Sequence, residues 1–253
     1  MQQSNTYIIV YSAVLTIVLG LLLSGSSQLL GPMQQEAIAL DKKKQILGAV
    51  ISGEELSAMT PEEVNELYAS RISSTVVNIS GEEIREEGLT AEKVEVAKDY
   101  KKAAEERAYP VYIFHAAGNP EAVDSYVFPL YGAGLWDAIW GYVALETDMN
   151  TIGGITLAHA GETPGLGARI TESGVQARYE GKKIFDESGS LVTVIMQKGE
   201  GKDYDNELHK VDGMSGATIT ANGVNAMLKS YLSHYEAYIK SKSTAAPEAV
   251  AAL

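Results

Sequence analysis

The sequence predicts an α+β domain carried on a single amino-terminal transmembrane helix. Three observations predict it. No side chain from Met1 to Gln35 is charged, and the apolar run from Tyr7 to Gly31 is long enough to span a bilayer as a helix. Strand signals follow one another with turn residues between them instead of alternating with helices, which argues against a doubly wound sheet. Near the carboxy terminus apolar residues recur at spacings of three and four, as on a helix with one buried face.

Residues 1–32 read as an uncleaved anchor, because the basic segment of a signal peptide is missing and the apolar run is long. Ser12, Ala13, Gly20, Ser24 and Gly25 are small enough to let another membrane helix approach. Residues 33–75 read as a helical stalk and the start of the soluble domain. In "MQQEAIALDKKKQILGAV" the apolar positions are Ile38, Ile46, Leu47 and Val50. In "TPEEVNELYASRI" Thr60 can cap a helix, Pro61 suits its first turn and Glu63 completes a capping box, with Val64, Leu67 and Tyr68 on the buried face.

Residues 76–241 form the main domain. Its segment 80–108, rich in Glu, Lys and Ala, reads as solvated helix or mobile linker. "YPVYIFHA" (109–116) is a strand, Ile139 to Leu145 and Ile152 to Leu157 flank a hairpin turn at Asp148 and Asn150, and 188–199 supplies another strand. Val224, Met227, Leu228, Tyr231, Leu232, Tyr235 and Ile239 mark the last helix, expected to begin near Thr220 or Ala221. Residues 242–253 read as a disordered tail.

A chain of 253 residues, 45% of them hydrophobic, can bury a real core in one sizeable domain or two small ones. A net charge of −13 repels phosphate backbones, so no nucleic-acid partner is expected. The absence of cysteine removes disulfides, thiolate metal sites and cysteine-ligated clusters, and His115, His159, His209 and His234 show no metal-ligand spacing. Any redox role therefore needs a bound cofactor. Lys42, Lys43 and Lys44 follow the membrane helix, which by the positive-inside rule would hold the domain in the cytoplasm.

Two stretches could carry chemistry. "VDGMSGATIT" (211–220) places Gly213, Gly216 and the hydroxyls of Ser215, Thr218 and Thr220 where a helix begins. Unpaired backbone N–H groups and the helix dipole favour an anion there. On the residues alone, the ordinary reading is that Thr218 or Thr220 is a plain helix cap. "HAGETPGLG" (159–167) could be a Pro-Gly turn after a strand.

The run Asp212-Gly213-Met214-Ser215-Gly216-Ala217-Thr218 resembles the signal read by bacterial flavin transferases, in which the final Thr is joined to the phosphate of FMN. Together with "HAGETPGLG", "YGAGLWDAIWGYVAL", "TIGGITL" and "HKVDGMSGATITANGV" it is similar to the C subunit of the sodium-translocating NADH:quinone oxidoreductase. The resemblance spans nearly the whole chain apart from 80–108 and the tail. It implies a mixed α+β FMN-binding domain with FMN held covalently by a phosphoester to Thr218, inside a motif that includes Asp212, Ser215, Gly216 and Ala217. It implies Trp136, Glu162, Thr163 and Leu166 near the flavin, Lys198 as a point charge for the phosphate, and Asp212 orienting the loop or serving the transferase.

It also implies an electron-transfer subunit, not active alone, that passes single electrons between other membrane subunits and meets a flavin transferase during maturation. The domain would lie on the periplasmic side of the bacterial inner membrane, against the Lys42–Lys44 signal. The G subunit of the related ferredoxin:NAD oxidoreductase complex shares ETPGLG and SGAT, whereas GLW and the TIGGITL spacing favour the C subunit of the quinone reductase. A cofactor-free structural membrane subunit, with SGAT as a cap, is the alternative from another class.

Overall fold

The computed structural model describes residues 4–250, with side chains described to residue 243. The chain divides into two compact units, Met1–Lys42 and Lys43–Leu253. Helix α1 (Asn5–Gly48) runs through Pro32 without a break, so the segments read as anchor and stalk both contribute to one helix. Its apolar stretch is long enough to cross a membrane, and none of that stretch is buried inside the protein.

Helices α2 (Gly53–Ala58) and α3 (Pro61–Arg71) follow. The capping box of α3 forms as expected: Thr60 Oγ1 accepts from the Glu63 N–H and the Glu63 carboxylate accepts from the Thr60 N–H. Val64 and Tyr68 are buried and Leu67 is half-buried. Strand β1 (Ile72–Val77) begins directly after α3 and pairs antiparallel with β2 (Tyr109–Ala116).

The segment between them is neither a solvated helix nor a loose linker. It holds a short α-helix, α4 (Val96–Asp99), and a 3-10 turn at Ala104–Glu106, and buries Ala91 and Val94. The Tyr112 hydroxyl donates to the Ala91 carbonyl at 3.0 Å, and the Tyr68 and Ser74 hydroxyls donate to Glu92. A composition-based reading misses such pins because they come from residues outside the segment.

Strands β3 (Asn119–Ala133), β4 (Ala138–Glu146) and β5 (Ile152–His159) complete a five-stranded antiparallel meander in the order β1-β2-β3-β4-β5. The β4–β5 turn closes as expected: the Asp148 carboxylate accepts from the N–H groups of Asn150 and Thr151 and from the Thr151 hydroxyl.

Helix α5 (Ser173–Gln176) and the short parallel pair β6 (Ile195–Met196) and β7 (Lys210–Val211) lie beyond the meander. The strand expected over 188–199 is thus reduced to two residues. Thr193 sits at φ 60°, a left-handed conformation that a strand cannot continue through.

Helix α6 (Thr218–Val250) packs on the sheet, and all seven apolar positions read from the sequence are buried. It begins at Thr218, two residues before the expected start. Its backbone is helical through Val250, where a disordered tail was expected from 242; residues 251–253 lie outside the described residues. Two glycines permit its close approach to β3. A Cβ on Gly223 would stand 2.5 Å from the Ala133 carbonyl oxygen, and one on Gly132 would stand 2.9 Å from Met227 Cβ. The core between sheet and helix includes Val111, Phe128, Leu130, Val143, Leu228 and Tyr235.

Candidate functional site

The acceptor-like loop joins β7 to α6. Gly213 leaves no room for a side chain, because a Cβ there would collide with the carbonyl oxygens of Gln197 and Gly199. Gly216 takes φ 75°, which glycine adopts freely. The Ala217 carbonyl accepts the first helical bond, from Ala221 N–H at 2.9 Å, so Ala217 occupies the cap position. Alanine has no side-chain acceptor, and among the described residues no side chain caps the first N–H groups of α6. Neither threonine is therefore the cap of this helix.

The two threonines differ in their surroundings. Thr220 is buried, and its hydroxyl donates to Glu162 Oε2 at 2.5 Å. Thr218 is half-buried, and among the described residues its hydroxyl has no hydrogen-bond partner. Both line a cavity of about 270 Å³ together with Leu135, Glu162, Thr163 and Leu166.

Glu162 ties three segments together. Its Oε1 accepts from the Trp136 backbone N–H at 2.9 Å, and its own N–H donates to His159 Nδ1 at 3.3 Å. Burial alone would raise its pKa. The hydrogen bonds from the Thr220 hydroxyl and from the backbone at Trp136, Leu135 and Asp137 outweigh that effect and hold the carboxyl below its ordinary range. Gly134 and Gly167 are needed on either side, since a Cβ at either position would collide with the Glu162 carboxylate.

The PGLG segment is a tight turn. Gly165 has φ 74°, and the Thr163 carbonyl accepts from Leu166 N–H and Ala168 N–H, both at 3.1 Å. The Trp136 indole N–H donates to Thr163 Oγ1 at 3.1 Å, which joins the GLW turn to this loop. Leu135, Trp136, Leu166 and Ile219 are all exposed apolar residues in this region, Trp136 at 69%.

Residues 134–233 match the family model described as FMN-binding domain. The chain is 32% identical over 223 residues to the C subunit of the Na(+)-translocating NADH-quinone reductase of Yersinia pestis, covering 83% of this chain and 82% of that protein. It is 31% identical to the corresponding protein of Pseudomonas aeruginosa, covering 91% and 92%.

This chain belongs to the NqrC family.

The crystal structure of the NqrC of Parabacteroides distasonis superposes with a TM-score of 0.67 at 34% identity, covering 82% of this chain and 95% of that one. NqrC of Shewanella oneidensis gives a TM-score of 0.69 at 24% identity, covering 82% and 99%, and shares the fold. Membership in the NqrC family decides between the two families that the shared ETPGLG and SGAT motifs left open.

Of the residues singled out in the sequence, Glu162, Thr163, Leu166, Gly216, Ala217 and Thr218 line one cavity. Trp136 stands beside it through its bond to Thr163. Three lie off the lining. Ser215 is exposed, and its backbone N–H donates to Glu200 at 3.2 Å. The Asp212 carboxylate accepts from Gly201 N–H at 2.7 Å and Lys202 N–H at 3.2 Å, which fits the loop-orienting role. Lys198 is exposed just after β6 and does not line the cavity.

The sequence reading missed Arg169, Arg178 and Glu200. Arg169 pairs with Glu200 through two parallel bonds of 2.9 and 2.7 Å, and Arg178 joins Glu200 at 3.2 Å. The bonds from Arg169, from Ser215 N–H and from Arg178 push the Glu200 carboxyl down to about 2. No motif marks these residues, and a solvated charge is the ordinary reading of each.

Proposed function

We propose that this chain is a membrane-anchored flavoprotein subunit of a sodium-translocating NADH:quinone reductase, carrying FMN as a phosphoester on Thr218. The observation that carries this reading is the contrast between the two threonines: among the described residues the Thr218 hydroxyl, in the first turn of α6, has no hydrogen-bond partner, while the Thr220 hydroxyl is engaged by Glu162. The residues fit the group. A phosphate on Thr218 would meet the first N–H groups of α6 and the positive end of its dipole, and the exposed apolar rim of Leu135, Trp136 and Leu166 suits a flat aromatic ring.

When bound, the flavin supplies one-electron transfer that the side chains cannot. The protein's part is to hold it. Thr218 fixes the phosphate end and leaves the ring free. Thr163 and Leu166 set the polarity beside it, and Glu162 locks the GLW turn, the PGLG turn and α6 into one wall. The subunit relays electrons between other membrane subunits and is not active alone. A flavin transferase loads it, and helix α1 anchors it in the bacterial inner membrane with the domain on the periplasmic side.

The test is in-gel fluorescence after full denaturation. Chain produced together with a flavin transferase should fluoresce, and chain produced without one should not. Absence of fluorescence in both would overturn the covalent attachment of FMN to this chain.

A further inference from the structure

Three residues outside the acceptor motif hold it in place. Arg178 Nη1 donates to the carbonyl oxygens of Asp212 and Gly213, at 3.1 and 2.5 Å, and so fixes the first half of the loop. Met214, next along, is buried. From there to the helix the chain has no apolar anchor until Ala217: Ser215 and Gly216 are both exposed, and Gly216 is a glycine with wide backbone freedom. Among the described residues, the side chain that grips this exposed stretch by its backbone is Glu200, which accepts from Ser215 N–H at 3.2 Å. Glu200 is itself held by Arg169 and Arg178, with Arg169 further steadied by Glu172 at 3.2 Å. The Asp212 carboxylate ties the same 199–202 segment back to the loop from the other side.

We propose that Glu200, braced by Arg169 and Arg178, is a positioning residue for flavin attachment. By fixing Ser215 it sets where α6 begins and where Thr218 is presented to the transferase. This rests on Thr218 being the acceptor. In the transfer, Thr218 Oγ1 bonds to the flavin-side phosphorus of a flavin dinucleotide. The bond from that phosphorus to the bridging oxygen breaks, the nucleoside monophosphate leaves, and the hydroxyl proton passes to a base on the transferase. Glu200 touches none of these atoms. Its contribution is to keep one rotatable stretch of backbone from wandering, which a bimolecular reaction between two proteins requires.

The test uses the full chain in detergent micelles, made without transferase, then mixed with purified flavin transferase and flavin adenine dinucleotide. Mass gain is followed over time, with melting temperature and amide exchange at Ser215 measured on the same samples. Glu200→Ala should slow the initial rate at least tenfold and speed Ser215 exchange, with the melting temperature shifted by a few degrees at most. Glu200→Gln keeps an oxygen that can accept from Ser215 and should stay within about threefold of the unaltered chain. Should Glu200→Ala fail to fold, Glu200→Met fills the same space without an acceptor and carries the same expectation. Unchanged rates, or losses that simply track melting temperature across the variants, overturn the positioning role. An unaltered chain that gains no mass instead overturns the reading of Thr218 as acceptor, which separates the two failures.

Discussion

The Thr220 hydroxyl donates to the buried Glu162 carboxylate at 2.5 Å, while the Thr218 hydroxyl, two residues earlier, lines the same cavity with no protein partner among the described residues. One threonine is tied into the wall, and the hydroxyl of the other is unengaged among the described residues. Thr220→Val removes the donor but keeps the shape. It leaves a buried carboxylate oxygen short of a bond, at a cost of about 1–3 kcal/mol. Urea denaturation should show that loss, with flavin still attached. An unaffected stability would mean that the bond contributes nothing in solution.

Glu200 gives a pH signature. Its carboxyl is held down to about 2 in the folded chain, against an ordinary 4.5. A lowered folded-state value means that its contribution to stability is complete above pH 4.5 and is lost as the pH falls toward 2. The stability of Glu200→Gln should therefore fall less steeply than that of the unaltered chain across that window, and the two slopes should agree above it. Parallel curves throughout would show that the Arg169–Glu200–Arg178 group carries no pH-dependent stability.

Gly223 tests the seat of α6. Alanine there would favour the helix by about 1 kcal/mol, yet its methyl group would press on the Ala133 carbonyl. Overpacking costs about 1–3 kcal/mol, so Gly223→Ala should be destabilising on balance. Thermal melting decides the sign, and a stabilised variant would show that α6 can lift from β3 without penalty.

Much of this is legible in the residues themselves. The α3 capping box, strand β2, the β4–β5 hairpin and the buried face of α6 are local patterns, and the structure keeps each of them. What the residues hide is non-local. Strand β1 lies at the sheet edge with polar residues exposed in its first half and only Val76 and Val77 buried, so "ISSTVV" lacks a clear apolar period. The strand expected at 188–199 is cut by the left-handed Thr193. At the site, Thr218 and Glu162 could be named from motifs. The division of labour between Thr218 and Thr220 depends on a carboxylate 58 positions away from Thr220, and the Arg169–Glu200–Arg178 brace has no motif at all.

Leu166 tests whether the PGLG turn lies beside the ring. Leu166→Lys adds a cation at the cavity edge, and a nearby cation favours added negative charge, so the midpoint potential of the attached flavin should rise. Loop position and 41% exposure let the protein fold with the change. Spectroelectrochemistry on the fully flavinylated chain reads the shift. An unchanged potential would place the turn away from the ring.

Topology sets two signals against each other. A carboxy-terminal reporter that is active only in the cytoplasm should be silent if the domain lies outside the inner membrane. An active reporter would restore the Lys42–Lys44 reading.

The most direct test of the account is the intact mass of the full chain produced with a flavin transferase, in three forms. The unaltered chain and Thr220→Val should each carry the mass of one FMN phosphoester, and Thr218→Ala should carry none. FMN retained on Thr218→Ala, or lost from Thr220→Val while the chain remains folded, would contradict the assignment of Thr218 as the residue that holds the flavin.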